Sequence, residues 1–122
     1  MKKYIAEMLG TMVLVLMGCG TAVSLSCTSA DPNLASTVIG TALAFGLSVV
    51  VMAYTIGGIS GCHINPAITL GCLLSGRMNG KEAAMYMLFQ VIGAFIGSTI
   101  LWALTSNSGL DGTGANACQE GV

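Results

Sequence analysis

The residues in this chain that could do chemistry are few, and most fall within one short stretch. His63 and Asn65 stand two positions apart, with Cys62 beside them and Pro66-Ala67 following. Fifty-six positions upstream of His63 is Glu7, an acidic residue in an otherwise apolar run. A catalytic histidine needs an acid, a second base or a nucleophile placed to help it, and no sequence neighbour of His63 has that relation to it. The five cysteines (Cys19, Cys27, Cys62, Cys72, Cys118) form no CxxC and no Cys/His metal spacing. Four of them lie in apolar stretches, where cysteine behaves as a small hydrophobe. Covalent catalysis, a resident metal and a bound cofactor are therefore not expected. What remains is hydrogen bonding: an asparagine amide, a glycine-rich backbone and a carboxylate.

Those groups must be held by elements suited to a bilayer. Of the 122 residues, 54% are hydrophobic and 7% charged, with a mean hydropathy of +0.83. A soluble domain carries about 25% charge, so this chain reads as a membrane protein. The formal net charge of −1, without a basic patch, argues against nucleic acid as a partner. Lys2 and Lys3 before an apolar run ending at Cys19 imitate a lipoprotein signal. That reading needs a polar mature chain after the cysteine, whereas hydrophobicity continues.

Charge-free runs cover 8–30, 32–76 and 83–110. A spanning helix needs about 20 apolar residues, which predicts spans over 4–25, 36–56 and 83–104. The segment 57–76 is then left over. Its start is glycine-rich and irregular. Asn65 is a strong helix N-cap and Pro66 suits the first helical position, so a short helix should begin at Pro66 and run about ten residues. At 1.5 Å per residue that is roughly 15 Å, half the bilayer core. The segment therefore reads as re-entrant: a loop dips in and a half-helix carries the chain back out. Lys2, Lys3, Arg77 and Lys81 all fall on one side of this arrangement, which the positive-inside rule makes cytoplasmic; Asp31, Asp111 and Glu120 fall on the other. Residues 105–122 read as an exterior tail. Gly93-xxx-Gly97 has the spacing for close helix contact.

A loop inside hydrocarbon is tolerated only when buried in protein or lining a watery cavity. Carbonyls of Gly61, Cys62, His63 and Ile64 can form a ladder of acceptors along a narrow path. Asn65 presents its amide at the positive end of the half-helix, where cations meet an unfavourable field.

Ser60-Gly61-Cys62-His63-Ile64-Asn65-Pro66-Ala67-Ile68-Thr69 resembles the first signature loop of the aquaporin and glycerol-facilitator family, as do Ala6-Glu7-xx-Gly10-Thr11 and Gln90. The resemblance covers nearly the whole chain. It implies an all-α membrane fold of two inverted repeats, of which this is the first: three transmembrane helices plus one re-entrant half-helix. It further implies that Asn65 is the first of two pore asparagines and that Phe45 is the second-helix aromatic of the selectivity constriction. Water-selective bacterial members typically carry Phe there, and glycerol facilitators often Trp. Val49 would line the apolar wall, Glu7 would brace the re-entrant loop, and His63 would contribute its backbone carbonyl. Without the motif, Phe45 would be read as a lipid-facing aromatic. Cys62 departs from the smaller residue common in the family, and its thiol is expected near the path, within reach of a mercurial. Water or a small neutral solute would pass, with the lipid bilayer around the protein and a homotetramer when full length. With no second Asn-Pro-Ala, the chain reads as a partial sequence that would not form a pore alone.

Overall fold

The computed structural model describes residues 1–25, 34–106 and 113. Four helices make up these residues: α1 (Lys2–Ser24), α2 (Leu34–Ser60), the short α3 (Pro66–Leu74) and α4 (Gly80–Thr105). Among the described residues α1, α2 and α4 are each long and apolar enough to cross a membrane. Asp31, Asp111 and Glu120, and with them most of the expected exterior tail, lie outside the described residues.

α1 is the central element, with α4 on one side and α2 on the other. Its partners on α4 rise in step along both helices: Lys3 pairs with Glu82, Tyr4 stacks near Tyr86, Glu7 bonds Gln90. The two helices therefore run parallel. Toward α2 the order reverses, with Gly10 facing Ile56, Gly18 facing Phe45 and Leu25 facing Gly40, so that pair is antiparallel.

The α1–α4 seam is closed by Gly93 and Gly97. A Cβ on Gly93 would fall inside the Met8 carbonyl, and one on Gly97 would lie 2.7 Å from the Met12 oxygen. Backbone meets backbone along this line, the contact that small residues permit between membrane helices. Outward, the bundle is apolar: Tyr54, Leu74, Phe95 and Trp102 are all exposed. Inward, the most deeply buried side chains are polar: Glu7, Thr69 and Gln90 are each 0% exposed. Polar groups inside and apolar groups outside are what a hydrocarbon solvent selects.

Two expected boundaries shift by three residues or more. The second span was expected to end at 56, with the glycine-rich stretch after it irregular, but α2 continues through Gly57 and Gly58 to Ser60. The Gly61 amide still donates to the Gly57 carbonyl at 2.9 Å. In a membrane protein a satisfied backbone hydrogen bond outweighs the cost of a helical glycine, about 1 kcal/mol. The irregular segment is thereby cut to residues 61–65. α4 likewise starts at Gly80 rather than 83, because the Asn79 side chain caps it by accepting from the Glu82 amide at 2.9 Å. It also takes in Thr105 at its end.

Candidate functional site

The five residues between α2 and α3 form a loop that local preference alone would not choose. Gly61 has φ +89°, Cys62 +53° and Ile64 +41°. Positive φ is free for glycine but costs of order 1–3 kcal/mol at each non-glycine residue, and for β-branched Ile it is rare. Something must hold the loop in this shape.

Glu7 does so. Its carboxylate lies under the loop and accepts four hydrogen bonds. Oε1 takes the Ser60 hydroxyl at 2.6 Å and the His63 amide at 2.9 Å; Oε2 takes the Ile64 amide at 2.6 Å and the Gln90 side-chain amide at 2.8 Å. Ser60 Oγ in turn accepts from the Cys62 amide at 3.2 Å. Consecutive amides turned to one side make a nest for an anion, and here the anion is the protein's own carboxylate. Each bond to a charged partner contributes about 1.5–3 kcal/mol, enough to offset the strained φ values. The Ile64 side chain, 3% exposed, closes against Ala6, Met52 and Ile56. Gly10 leaves room for it, since a Cβ there would lie 2.6 Å from the Ile64 methyl.

With the amides taken up from below, the carbonyls of Gly61, Cys62, His63 and Ile64 have no hydrogen-bond donor among the described residues. The Ser60 carbonyl is different: the buried Tyr86 hydroxyl donates to it at 2.8 Å. Asn65 ends the loop as the N-cap of α3, its Oδ1 accepting from the Ala67 amide at 2.8 Å while Pro66 fills the first helical position. Fixing the oxygen in that role directs the two Nδ2 protons away from the helix end. Asn65 is exposed.

The side chain of His63 is turned toward α3 and α4. Its Nδ1 lies 3.0 Å from Thr69 Oγ1, its Nε2 3.6 Å from Cys72 Sγ, and its ring rests on Tyr86 with centroids 5.1 Å apart. Thr69 also accepts from Gln90 Nε2 at 3.0 Å. Ser60, Thr69, Tyr86 and Cys72 thus join the site although sequence reasoning gave none of them a role. Ser60 and Thr69 belong to the signature stretch, whereas Tyr86 and Cys72 carry no spacing signal at all. Cys62 is half-buried and packs against the apolar cluster formed by Ala6, Met52, Ile56 and Ile64. Phe45 lies away from the loop, its half-buried ring against Gly18 of α1, and Val49, one turn further, is 43% exposed. Among the described residues no group of three or more His, Cys, Asp or Glu gathers as a metal centre would require.

The sequence profile described as Major intrinsic protein matches residues 1–122. The chain belongs to the major intrinsic protein family. Relatives within it include Aquaporin Z of Rhodopseudomonas palustris, 47% identical over 106 residues that make up 87% of this chain and 43% of the relative. Aquaporin Z of Brucella melitensis is 44% identical over 115 residues, 94% of this chain and 48% of the relative. Aquaporin Z of Photorhabdus laumondii is 40% identical over 122 residues, 99% of this chain and 52% of the relative. The chain spans about half the length of the curated relatives it matches. As a major intrinsic protein, the fold described above is the first of that family's two repeats.

Proposed function

We propose that this chain is the first half of a water channel, and that residues 61–65 line its path. The observation that carries the reading is the one-sided use of the loop's backbone. Glu7 and Ser60 take the amides of Cys62, His63 and Ile64, leaving the strip's carbonyls as acceptors for a passing molecule. Water moves along such a ladder by donating to one carbonyl after another. At Asn65 it accepts from the Nδ2 protons, reinforced by the positive end of α3. That same field opposes cations. α3 has nine residues, about 13 Å, and rejoins the end of the bundle marked by the Lys3–Glu82 pair within five residues, so its start at Asn65 sits well inside a core of about 30 Å. Passive diffusion of this kind needs no reaction and no cofactor.

Phe45 on α2 forms the first-half part of the constriction, with Val49 below it on the wall. Phe rather than Trp at 45 favours water over glycerol. The four basic residues Lys2, Lys3, Arg77 and Lys81 support, by the positive-inside rule, a cytoplasmic N-terminus for a protein of the plasma membrane. The exposed apolar faces of α2 and α4 meet lipid or neighbouring subunits of a homotetramer, in which each subunit has its own pore.

The test is a chimera in which this chain replaces the half of the Photorhabdus laumondii Aquaporin Z that it matches. Proteoliposomes holding it should shrink far faster than empty vesicles under osmotic shock, with little glycerol entry. Shrinkage no faster than that of empty vesicles, at equal insertion, would leave a non-conducting membrane protein. Glycerol entry matching water flux would make it a polyol facilitator.

A further inference from the structure

We propose that Tyr86 is a positioning residue for water passage: its hydroxyl, by engaging the Ser60 carbonyl, fixes the point at which the acceptor strip begins. The inference rests on the reading of residues 61–65 as the wall of a path. Along the strip the peptide groups are held at one end only. The amides of Cys62, His63 and Ile64 are taken by Ser60 and Glu7, while the carbonyls of the same peptide groups, those of Gly61, Cys62 and His63, have no donor among the described residues. The Ser60–Gly61 peptide group just before them is held at both ends. Its N–H donates to the Gly57 carbonyl at 2.9 Å, and its carbonyl accepts from Tyr86 Oη at 2.8 Å. Two-sided holding thus gives way to one-sided holding at a single residue, and α4 supplies the side chain that makes the difference.

Tyr86 is placed for this by contacts that do not depend on what surrounds the bundle, since it is 3% exposed within these helices. Tyr4 of α1 stands edge-on to its ring at 5.7 Å, and the His63 ring lies against it at 5.1 Å. The hydroxyl therefore reaches Ser60 from a fixed ring. Gly61, at φ +89°, follows immediately and is the residue that resists rotation least. With the hydroxyl removed, the Ser60–Gly61 plane keeps only its N–H bond and turns about the Gly61 hinge, carrying the Gly61 carbonyl out of line with those beyond it. The Ser60 carbonyl, turned toward α4, meanwhile becomes an acceptor off the path. A buried carbonyl without a partner is costly, so it takes the nearest donor, and in a conducting channel that donor is water.

The experiment compares Tyr86→Phe with its parent in the Aquaporin Z chimera, in proteoliposomes at equal insertion. Phe keeps the ring against Tyr4 and His63 and removes the hydroxyl alone. Osmotic water flux per channel should fall roughly fivefold, the factor that corresponds to one neutral hydrogen bond of ordinary net strength. Solid-state NMR with 13C at the Ser60 carbonyl should show slow magnetisation transfer from water in the parent and fast transfer in the variant. Packing alone would predict no change in either, because the ring remains. Should Tyr86→Phe fail to insert, the parent decides alone: transfer from water to the Ser60 carbonyl as fast as to those of Gly61, Cys62 and His63 overturns the proposal. Flux within twofold of a conducting parent, or an unchanged Ser60 signal, overturns it as well and leaves the channel reading intact. A parent chimera that does not conduct would instead overturn the channel reading, and this proposal with it.

Discussion

Replacing Glu7 by Gln keeps the volume and shape of the side chain but turns one of its two acceptors into a donor, and the consequence can be followed atom by atom. If the new amide nitrogen takes the Oε2 position, it meets the Ile64 amide and the Gln90 side-chain amide, both donors. If it takes the Oε1 position, the Ser60 hydroxyl can turn toward the Ile56 carbonyl, 3.4 Å away, and accept instead, but the His63 amide is left without a partner. The second arrangement is the cheaper one and still strands one backbone N–H, at about 1–3 kcal/mol. Bonds to the lost charge weaken as well, so about 3 kcal/mol is expected in all. Cys62 and Ile64 sit at positive φ with nothing else of comparable strength holding them. The loss should therefore appear as loop opening before it appears as unfolding. Native-state hydrogen exchange reads it directly: at 1.4 kcal/mol per tenfold, the amides of His63 and Ile64 should exchange on the order of 100-fold faster, while those in the middle of α1 and α4 change little. Exchange within about threefold of the parent at these two amides would show that the carboxylate is not what holds the loop.

Other substitutions test the packing and the site separately. Gly93→Ala should force α1 and α4 apart and destabilise the chain by about 1–3 kcal/mol in thermal denaturation, whereas Gly46→Ala, with nothing within 4 Å of its added carbon, should be neutral or slightly stabilising. Gly61→Ala, at φ +89°, should cost about 1–2 kcal/mol; Gly58→Ala, in a helix and facing open space, should gain up to about 1 kcal/mol in the same assay. Gly18→Ala would drive its methyl into the Phe45 ring. In the chimera it should alter the ratio of water to glycerol flux while leaving exchange at residues 62–64 unchanged.

The sequence was legible where a single physical rule dominated. Three apolar runs of bilayer length read as spanning helices, and α1, α2 and α4 are long and apolar enough to cross a membrane. Asn-Pro marked a helix start because capping and the missing proline N–H act locally, and α3 begins at Pro66. The glycine pair at 57–58 reads locally as a helix end, but the larger cost of an unpaired amide in a dry environment carries α2 through to Ser60. The start of α4 precedes the charge-free run because Asn79, three residues before Glu82, caps the helix at Gly80. Long-range partners were beyond local reading. Nothing in the spacing brings the Tyr86 hydroxyl to the Ser60 carbonyl or sets Cys72 against His63; only the helix register and the bend at residues 61–65 do so.

The claim on which the functional reading rests is that the carbonyls of residues 61–64 face water within the bilayer. Water-edited solid-state NMR on the chimera in lipid, with 13C at those four carbonyls, measures this at the atoms concerned. Magnetisation should build up on them from water as quickly as it does at the bilayer-surface residues Arg77 and Lys81, and slowly from acyl chains. Rapid transfer from lipid methylenes with little from water would mean that the strip faces no aqueous path.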